Sequence, residues 1–146
     1  MRLKFFLIIV ALITSPTSSW AKNYQVKMLN SFEGQSMLFV PGFLKIEKGD
    51  SVTFVPTNSG HNSQSVFTPK NAKSWSGKNN EEITINFSEE GIFIYQCSLH
   101  LVMGMVGVIE VGTPTNFEEA KDFAKNFRAK FAMNKDRLDK YLAQAE

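Results

Sequence analysis

Short β-type segments separated by turn signals fill the chain between residues 24 and 111, and they constrain its fold more than any other feature. Each segment is rich in Val, Ile, Phe or Tyr, and turns such as Pro41-Gly42 and Lys48-Gly49-Asp50 divide them. Short, regularly spaced strands are typical of a β-sandwich or barrel and not of βαβ units. The predicted strands are residues 24–29, 37–40, 43–46, 51–55, 83–87, 92–96 and 106–111, and the polar stretch 68–80 is predicted to be a loop.

The pattern changes after Gly112, where apolar residues begin to recur at intervals of three and four and predict two amphipathic helices. Asn116 is the expected N-cap of the first helix, and the second helix follows Asn134. The apolar positions are Phe117, Ala120, Phe123, Ala124, Phe127 and Phe131 in the first helix, and Leu138, Tyr141, Leu142 and Ala145 in the second. We therefore expect a mainly β domain over residues 22–112, with residues 113–146 as a helical appendage packed on it.

The amino-terminal residues have the features of a secretory signal peptide. Arg2 and Lys4 precede an apolar run over residues 5–13, and Ser19 and Ala21 supply small residues at the −3 and −1 positions of a cleavage site. The apolar run is too short for a stable membrane span. We predict a signal peptide over residues 1–21 that is cleaved after Ala21, with no membrane insertion of the mature chain.

The charge of the mature chain argues against a nucleic-acid partner. The full sequence has 16 Lys and Arg residues against 14 Asp and Glu residues, a formal net charge of +2. Removal of Arg2 and Lys4 with the signal peptide leaves 14 basic and 14 acidic residues. The basic excess that neutralises a phosphate backbone is then absent.

The single cysteine and the two histidines of the chain suggest a metal site. His100 follows Cys97 by three residues, Met103 and Met105 come soon after, and His61 follows a predicted strand. Thiolate, imidazole and thioether together suit a copper ion that cycles between Cu(I) and Cu(II). A structural zinc site would lack a fourth strong ligand. A Cys–His hydrolase is disfavoured because no helix N-terminus or oxyanion loop is evident beside the pair, so we expect no enzyme activity.

Two other interpretations of the function stay open at this point. One is a copper-binding or delivery protein without a role in electron transfer. The other is a metal-free β-sandwich binding module with an incidental cysteine.

Three segments resemble the cupredoxins: Gly60-His61-Asn62, the run from Tyr95 to His100, and Met103-Gly104-Met105-Val106-Gly107-Val108. The resemblance implies a Greek-key β-sandwich or barrel with two C-terminal α-helices. It also implies one copper ion held by His61, Cys97, His100 and Met105, although the shorter loop of some members would select Met103. Asn62 would tie the two ligand loops together, and Met37 would pack beside His100.

The resemblance further implies a monomeric electron carrier of the bacterial periplasm. Its expected partners are transient redox proteins, namely copper or haem reductases and cytochromes. The expected docking surface is an apolar patch around His100 formed by Pro41, Leu101, Val102 and Met103. The chain departs from the family at Leu99, where proline is usual. It also departs at Ser31, Ser59 and Gln96, where lysines are typical, so we expect recognition by apolar contact more than by charge.

Overall fold

Eight strands form two four-stranded sheets in the computed structural model, which describes residues 20–145. The strands are β1 (Asn23–Phe32), β2 (Gln35–Val40), β3 (Phe43–Ile46), β4 (Ser51–Val55), β5 (Gln64–Phe67), β6 (Ile83–Asn86), β7 (Gly91–Gln96) and β8 (Val106–Val111). The predicted signal peptide lies outside the described residues except for Trp20 and Ala21. Within residues 20–145, no helix has the length and apolar character needed to cross a membrane.

The chain crosses between the two sheets several times. The strand order is β2-β1-β4-β6 in the first sheet and β3-β8-β7-β5 in the second. The β1–β4 and β3–β8 pairs are parallel, and the other neighbouring pairs are antiparallel. Two parallel neighbouring strands must be joined by a crossover connection. Strands that are distant in the sequence therefore become adjacent, and their ends meet at one edge of the sandwich.

An aromatic cluster fills the space between the sheets. The Tyr95 ring packs edge-on against Phe39 and Phe54, with ring centroids 4.7 and 4.9 Å apart, and Trp75 stacks on Phe54 at 5.7 Å. Edge-to-face and offset arrangements of this kind are favoured by the ring quadrupoles. Tyr95 is completely buried, and this desolvation raises the pKa of its hydroxyl, so the phenol stays protonated.

The C-terminal residues form α1 (Phe117–Phe127), a short 3-10 turn (Arg128–Lys130) and α2 (Arg137–Leu142). Their apolar stripes pack on the face of the second sheet that is turned away from the aromatic cluster. A second apolar cluster results, made of Ile92, Ile94, Val106, Val108, Ala120, Ala124, Phe127, Phe131, Leu138 and Leu142. Because the helices cover this face, all six residues of β8 are buried.

The predicted fold class, a mainly β sandwich with two C-terminal helices, is confirmed. All seven predicted strands are present, and β1 and β2 extend further than predicted. The sequence did not reveal β5, an edge strand whose four residues are all half-buried and show no alternation. Asn116 stands at the N-cap of α1, but its side chain does not cap the helix. Its amide instead accepts from Ile92 N–H at 2.8 Å and donates to Ile92 C=O at 3.1 Å.

The Tyr95 hydroxyl provides a test of the aromatic cluster, because it has no hydrogen-bond partner among the described residues. An unpaired buried hydroxyl costs about 1–3 kcal/mol. Tyr95→Phe keeps the ring contacts, so we expect an unchanged free energy of unfolding or a gain of about 1 kcal/mol by urea denaturation. Tyr95→Leu, which loses those ring contacts, is the reference for lost packing. A clear loss of stability in Tyr95→Phe would contradict the prediction.

Candidate metal centre

Two loops bring three potential ligand side chains together at one edge of the sandwich. His61 lies between β4 and β5, whereas Cys97 and His100 follow β7 directly. The Cys97 Sγ atom lies 3.4 Å from His100 Nδ1 and 3.9 Å from His61 Nδ1. The two imidazole rings have centroids 4.9 Å apart, and the three ligand atoms all lie within 4.8 Å of one another.

Backbone hydrogen bonds define the loop that joins β7 to β8. Cys97 N–H donates to Met105 C=O at 2.9 Å, directly beyond the Gln96–Val106 pair of the two strands. Inside this closure, both His100 N–H and Met105 N–H donate within the loop, to Cys97 C=O and His100 C=O, each at 3.2 Å. A 3-10 turn (Leu101–Met103) ends at Gly104, whose φ of 68° suits glycine. We call residues 97–105 the ligand loop.

His61 is completely buried, and its orientation is set by Asn30. Its Nε2 atom lies 2.8 Å from Asn30 Oδ1. An amide oxygen can only accept, so Nε2 carries the proton and Nδ1 presents a lone pair towards Cys97. Burial, assisted by the neighbouring His100, lowers the pKa of His61, so the neutral imidazole that binds metals is favoured.

Asn62 connects the two ligand-bearing loops. Ser98 N–H donates to Asn62 Oδ1 at 2.9 Å, and Asn62 Nδ2 donates to Ser98 Oγ at 2.9 Å and to Gly77 C=O at 3.1 Å. Because Ser98 directly follows Cys97, these bonds hold the cysteine against the His61 loop. The role of Asn62 at a metal centre stays a prediction.

The donor set fits a copper ion. Nitrogen and sulfur donors bind metals at about 2.0–2.3 Å, so a trigonal set separates sulfur from nitrogen by about 3.7 Å. The two observed separations, 3.4 and 3.9 Å, lie on either side of this value. Within residues 20–145, no carboxylate joins the cluster as a fourth strong ligand. One thiolate with two imidazoles is the donor set that selects copper over structural zinc.

The remaining predicted site residues differ in their burial. Met105 is completely buried, whereas Met103 and Met37 are half-buried. Of the predicted docking patch, Pro41 and Val102 are exposed and Leu101 is half-buried beside Met103. The sequence analysis missed two further exposed apolar side chains, Leu99 and Met133, which are 55% and 49% exposed, compared with 60% for Val102. Met133 lies beside the patch, because its N–H donates to Val102 C=O at 3.2 Å.

Fold and donor set together define a copper protein of the cupredoxin class, and comparison with known proteins agrees. Residues 26–112 match the model of the family described as copper binding proteins of the plastocyanin/azurin family, and the chain belongs to that family. A relative in Rhizobium leguminosarum bv. viciae is 42% identical over 126 residues, which is 83% of each chain.

Two further relatives are named as pseudoazurins. That of Paracoccus pantotrophus is 35% identical over 137 residues, covering 92% of this chain and 91% of the relative. The crystal structure of native pseudoazurin from Hyphomicrobium denitrificans is 35% identical, has a TM-score of 0.76, and covers 84% of this chain and 97% of that one. Within the plastocyanin/azurin family, this chain is therefore grouped with the pseudoazurins.

The hydrogen bond by which Asn30 sets the tautomer of His61 can be tested by substitution. Asn30→Leu removes the acceptor from Nε2–H, and partners of this kind typically account for about 10–100-fold in metal affinity. We expect copper affinity to fall by about tenfold or more in a competition titration. Asn30→Asp keeps an acceptor oxygen and is the matched control. Equal affinities of the Leu variant and the unaltered protein would refute the role of Asn30.

Proposed function

We propose that this protein is a periplasmic electron carrier that holds one type 1 (blue) copper ion. His61, Cys97 and His100 would be the strong ligands, and Met105 would be the weak fourth ligand. The observation that carries the proposal is the convergence of two imidazole Nδ1 atoms on one buried thiol in a chain of a copper-binding family. His₂Cys ligation with a long axial methionine is the arrangement of blue-copper electron-transfer sites.

The choice of Met105 over Met103 rests on burial and position. Met105 is completely buried, and its C=O and N–H both bond within the ligand loop, to Cys97 and His100 respectively. Met103 is half-buried and lies at the end of the 3-10 turn. A thioether ligand of a buried centre needs a buried residue held close to the other ligands, and the burial and backbone bonds of Met105 support that choice.

When bound, copper supplies one-electron cycling between Cu(I) and Cu(II). His100 is half-buried whereas His61 is completely buried, so the His100 ring is the route by which an electron enters or leaves. The bonds of Asn62 to Ser98 and of Cys97 to Met105 hold the donor atoms in one arrangement through both oxidation states. With four protein ligands, the centre keeps no open position for a substrate, and the proposal therefore includes no enzyme activity.

The apolar surface beside His100 is the proposed docking site for transient redox partners, such as copper or haem reductases and cytochromes. Val102 and Leu99 of the ligand loop, and Met133 beside it, are the large exposed apolar side chains of this surface. A small apolar contact suits brief redox encounters, which bury little area. Charge would then have only a minor part in steering partners, and the carrier would work as a monomer.

The proposed periplasmic location requires export and cleavage after Ala21. The backbone N–H of Lys22 donates to Asp50 Oδ1 at 2.7 Å, and Asp50 is 3% exposed. Cleavage after Ala21 would convert this amide into a charged amino group held against a buried carboxylate. Such a charge-assisted hydrogen bond is about twice as strong as a neutral one, so the processed chain would gain stability at its new terminus.

The central experiment is copper loading of the purified apo-protein, followed by repeated reduction and oxidation. We expect an intense blue thiolate-to-copper absorption that disappears on reduction and returns fully on oxidation. Cys97→Ser should abolish this absorption, and Met105→Leu should alter it far more than the control Met103→Leu. Tight retention of Cu(I) without redox turnover would instead support a copper-delivery protein, and failure to take up Cu(II) would support a metal-free binding module.

Electron self-exchange between the reduced and oxidised protein, measured by NMR line broadening, tests the docking surface. We expect Val102→Ser to slow self-exchange because it removes an exposed apolar contact beside His100. Lys78 is an exposed lysine two residues before Asn80, whose N–H donates to His61 C=O, and we expect Lys78→Gln to change the rate little. The rate should vary by less than about tenfold with ionic strength, since electrostatic steering accounts for about a hundredfold or more in strongly steered pairs. A steep salt dependence, or a larger effect of Lys78→Gln, would contradict apolar docking.

A further inference from the structure

The segment that precedes α2, together with the first residue of α2, binds three successive carbonyl groups of the ligand loop. Val102 C=O accepts from Ala132 N–H at 2.8 Å. Met103 C=O accepts from Asn134 Nδ2 at 2.9 Å, and Gly104 C=O accepts from Arg137 Nη1 at 2.9 Å. We call residues 132–137 the tail clamp. These carbonyls belong to the stretch between His100 and Met105, so the clamp acts on the part of the loop that joins two proposed ligands.

Arg137 makes the most extensive of these contacts. It is 4% exposed, and its guanidinium also donates to Met37 C=O at 2.7 Å and to Ser36 C=O at 3.1 Å. Among residues 20–145 it forms no ion pair, and the hydrogen bonds of its guanidinium all go to backbone carbonyls. A buried guanidinium is costly unless its donors are satisfied. Here the cost is offset by bonds that join β2, the ligand loop and α2.

The backbone at this junction has several residues in the left-handed region. Met37 has φ 46°, Asn134 has φ 49° and Gly104 has φ 68°. A side chain on Gly104 would meet Met133 C=O, since a Cβ there would lie 2.9 Å from that oxygen. Left-handed conformations of Met and Asn cost free energy and persist only where the surroundings maintain them. The contact between tail and loop is therefore close and requires one backbone arrangement.

The packing of α1 and α2 on the second sheet does not require the hydrogen bonds between the tail clamp and the ligand loop. The apolar side chains of α1 and α2 pack on β7 and β8, and that packing accounts for the burial of the sheet face. The bonds to Val102, Met103 and Gly104 add nothing to apolar burial. They restrain three consecutive peptide groups, which fixes how far Met105 can move from His100.

We propose that the tail clamp is a positioning device for the copper site, in which Asn134 and Arg137 hold the ligand loop in one conformation in both oxidation states. The inference rests on the proposed function, because it gives the C-terminal helices a role in tuning the same centre. Neither residue touches the copper in this proposal. Both act through the backbone that carries His100 and Met105.

Two variants remove the clamp in different ways. Asn134→Asp has nearly the same shape and also tolerates the left-handed region, but it presents a carboxylate oxygen to Met103 C=O in place of a donor. Arg137→Met removes the bonds to Gly104, Met37 and Ser36 while keeping an unbranched side chain. Leu142→Ala is the control, because Leu142 is buried in the same tail cluster and makes no side-chain hydrogen bond to the ligand loop. Leu142→Ala therefore measures the effect of a general loss of apolar packing between the C-terminal helices and the sheet.

The first measurement uses the apo-protein and needs no metal. Amide hydrogen exchange at Cys97 reports the bond that closes the ligand loop, and exchange at Met105 reports the bond to His100 C=O inside it. We expect exchange at both amides to be about tenfold faster in Asn134→Asp and Arg137→Met than in Leu142→Ala, after correction for global stability. Exchange rates equal to those of the control would overturn the proposal.

The second measurement uses the copper-loaded protein. We expect Asn134→Asp and Arg137→Met to change the reduction potential and the relative intensities of the copper absorption bands, and to lower copper affinity about tenfold. Leu142→Ala should change none of these beyond its effect on stability. Arg137→Lys keeps the charge without the planar fork, so a potential and spectrum restored to those of the unaltered protein would indicate an effect of charge and overturn positioning. If the unaltered protein bound no copper, the proposed function would fail, whereas the exchange experiment would still test the clamp.

Discussion

The hydrogen bond from Cys97 N–H to Met105 C=O is the interaction on which the site depends, because it ends the β7–β8 ladder and closes the ligand loop. Cys97 is completely buried at the end of β7, a strand buried on both faces by the aromatic cluster and the tail helices. The position of the thiol is thereby set by the core of the fold and not by a mobile loop. The other donors are then arranged around a fixed sulfur atom.

Much of this architecture could be predicted from the sequence. Segments such as residues 106–111 combine high β-propensity with clear turn signals, so their strands and boundaries were found. Edge strand β5 was missed because Gln64 and Ser65 lack the alternation that a half-buried strand usually shows. Asn116 was given a capping role that its side chain does not perform, since local propensity cannot foresee a tertiary bond to Ile92.

The candidate ligands could be predicted from the sequence for a different reason. A single cysteine and only two histidines leave few combinations, and the spacing of Cys97, His100 and Met105 narrows them further. The residues that orient these ligands carry weaker signals. Asn30 lies on the same face of β1 as the buried Val26 and Met28 but is itself exposed, and Arg137 adjoins the apolar stripe of α2. A polar residue within an apolar series indicates that its side chain has a hydrogen-bond partner, but the sequence does not identify that partner.

The tail clamp also bears on the order in which the protein matures. Asn134 and Arg137 follow His61, Cys97 and His100 in the chain, and Arg137 bonds to Met37, which lies 100 positions earlier. A folding chain in which residues 132–137 have not yet docked would have its thiol and both imidazoles available before the support of the ligand loop is complete. On the clamp proposal, the metal site reaches its final form only when the carboxyl-terminal segment docks. Acquisition of the ion in its working geometry would then be a late event, coupled to completion of the fold.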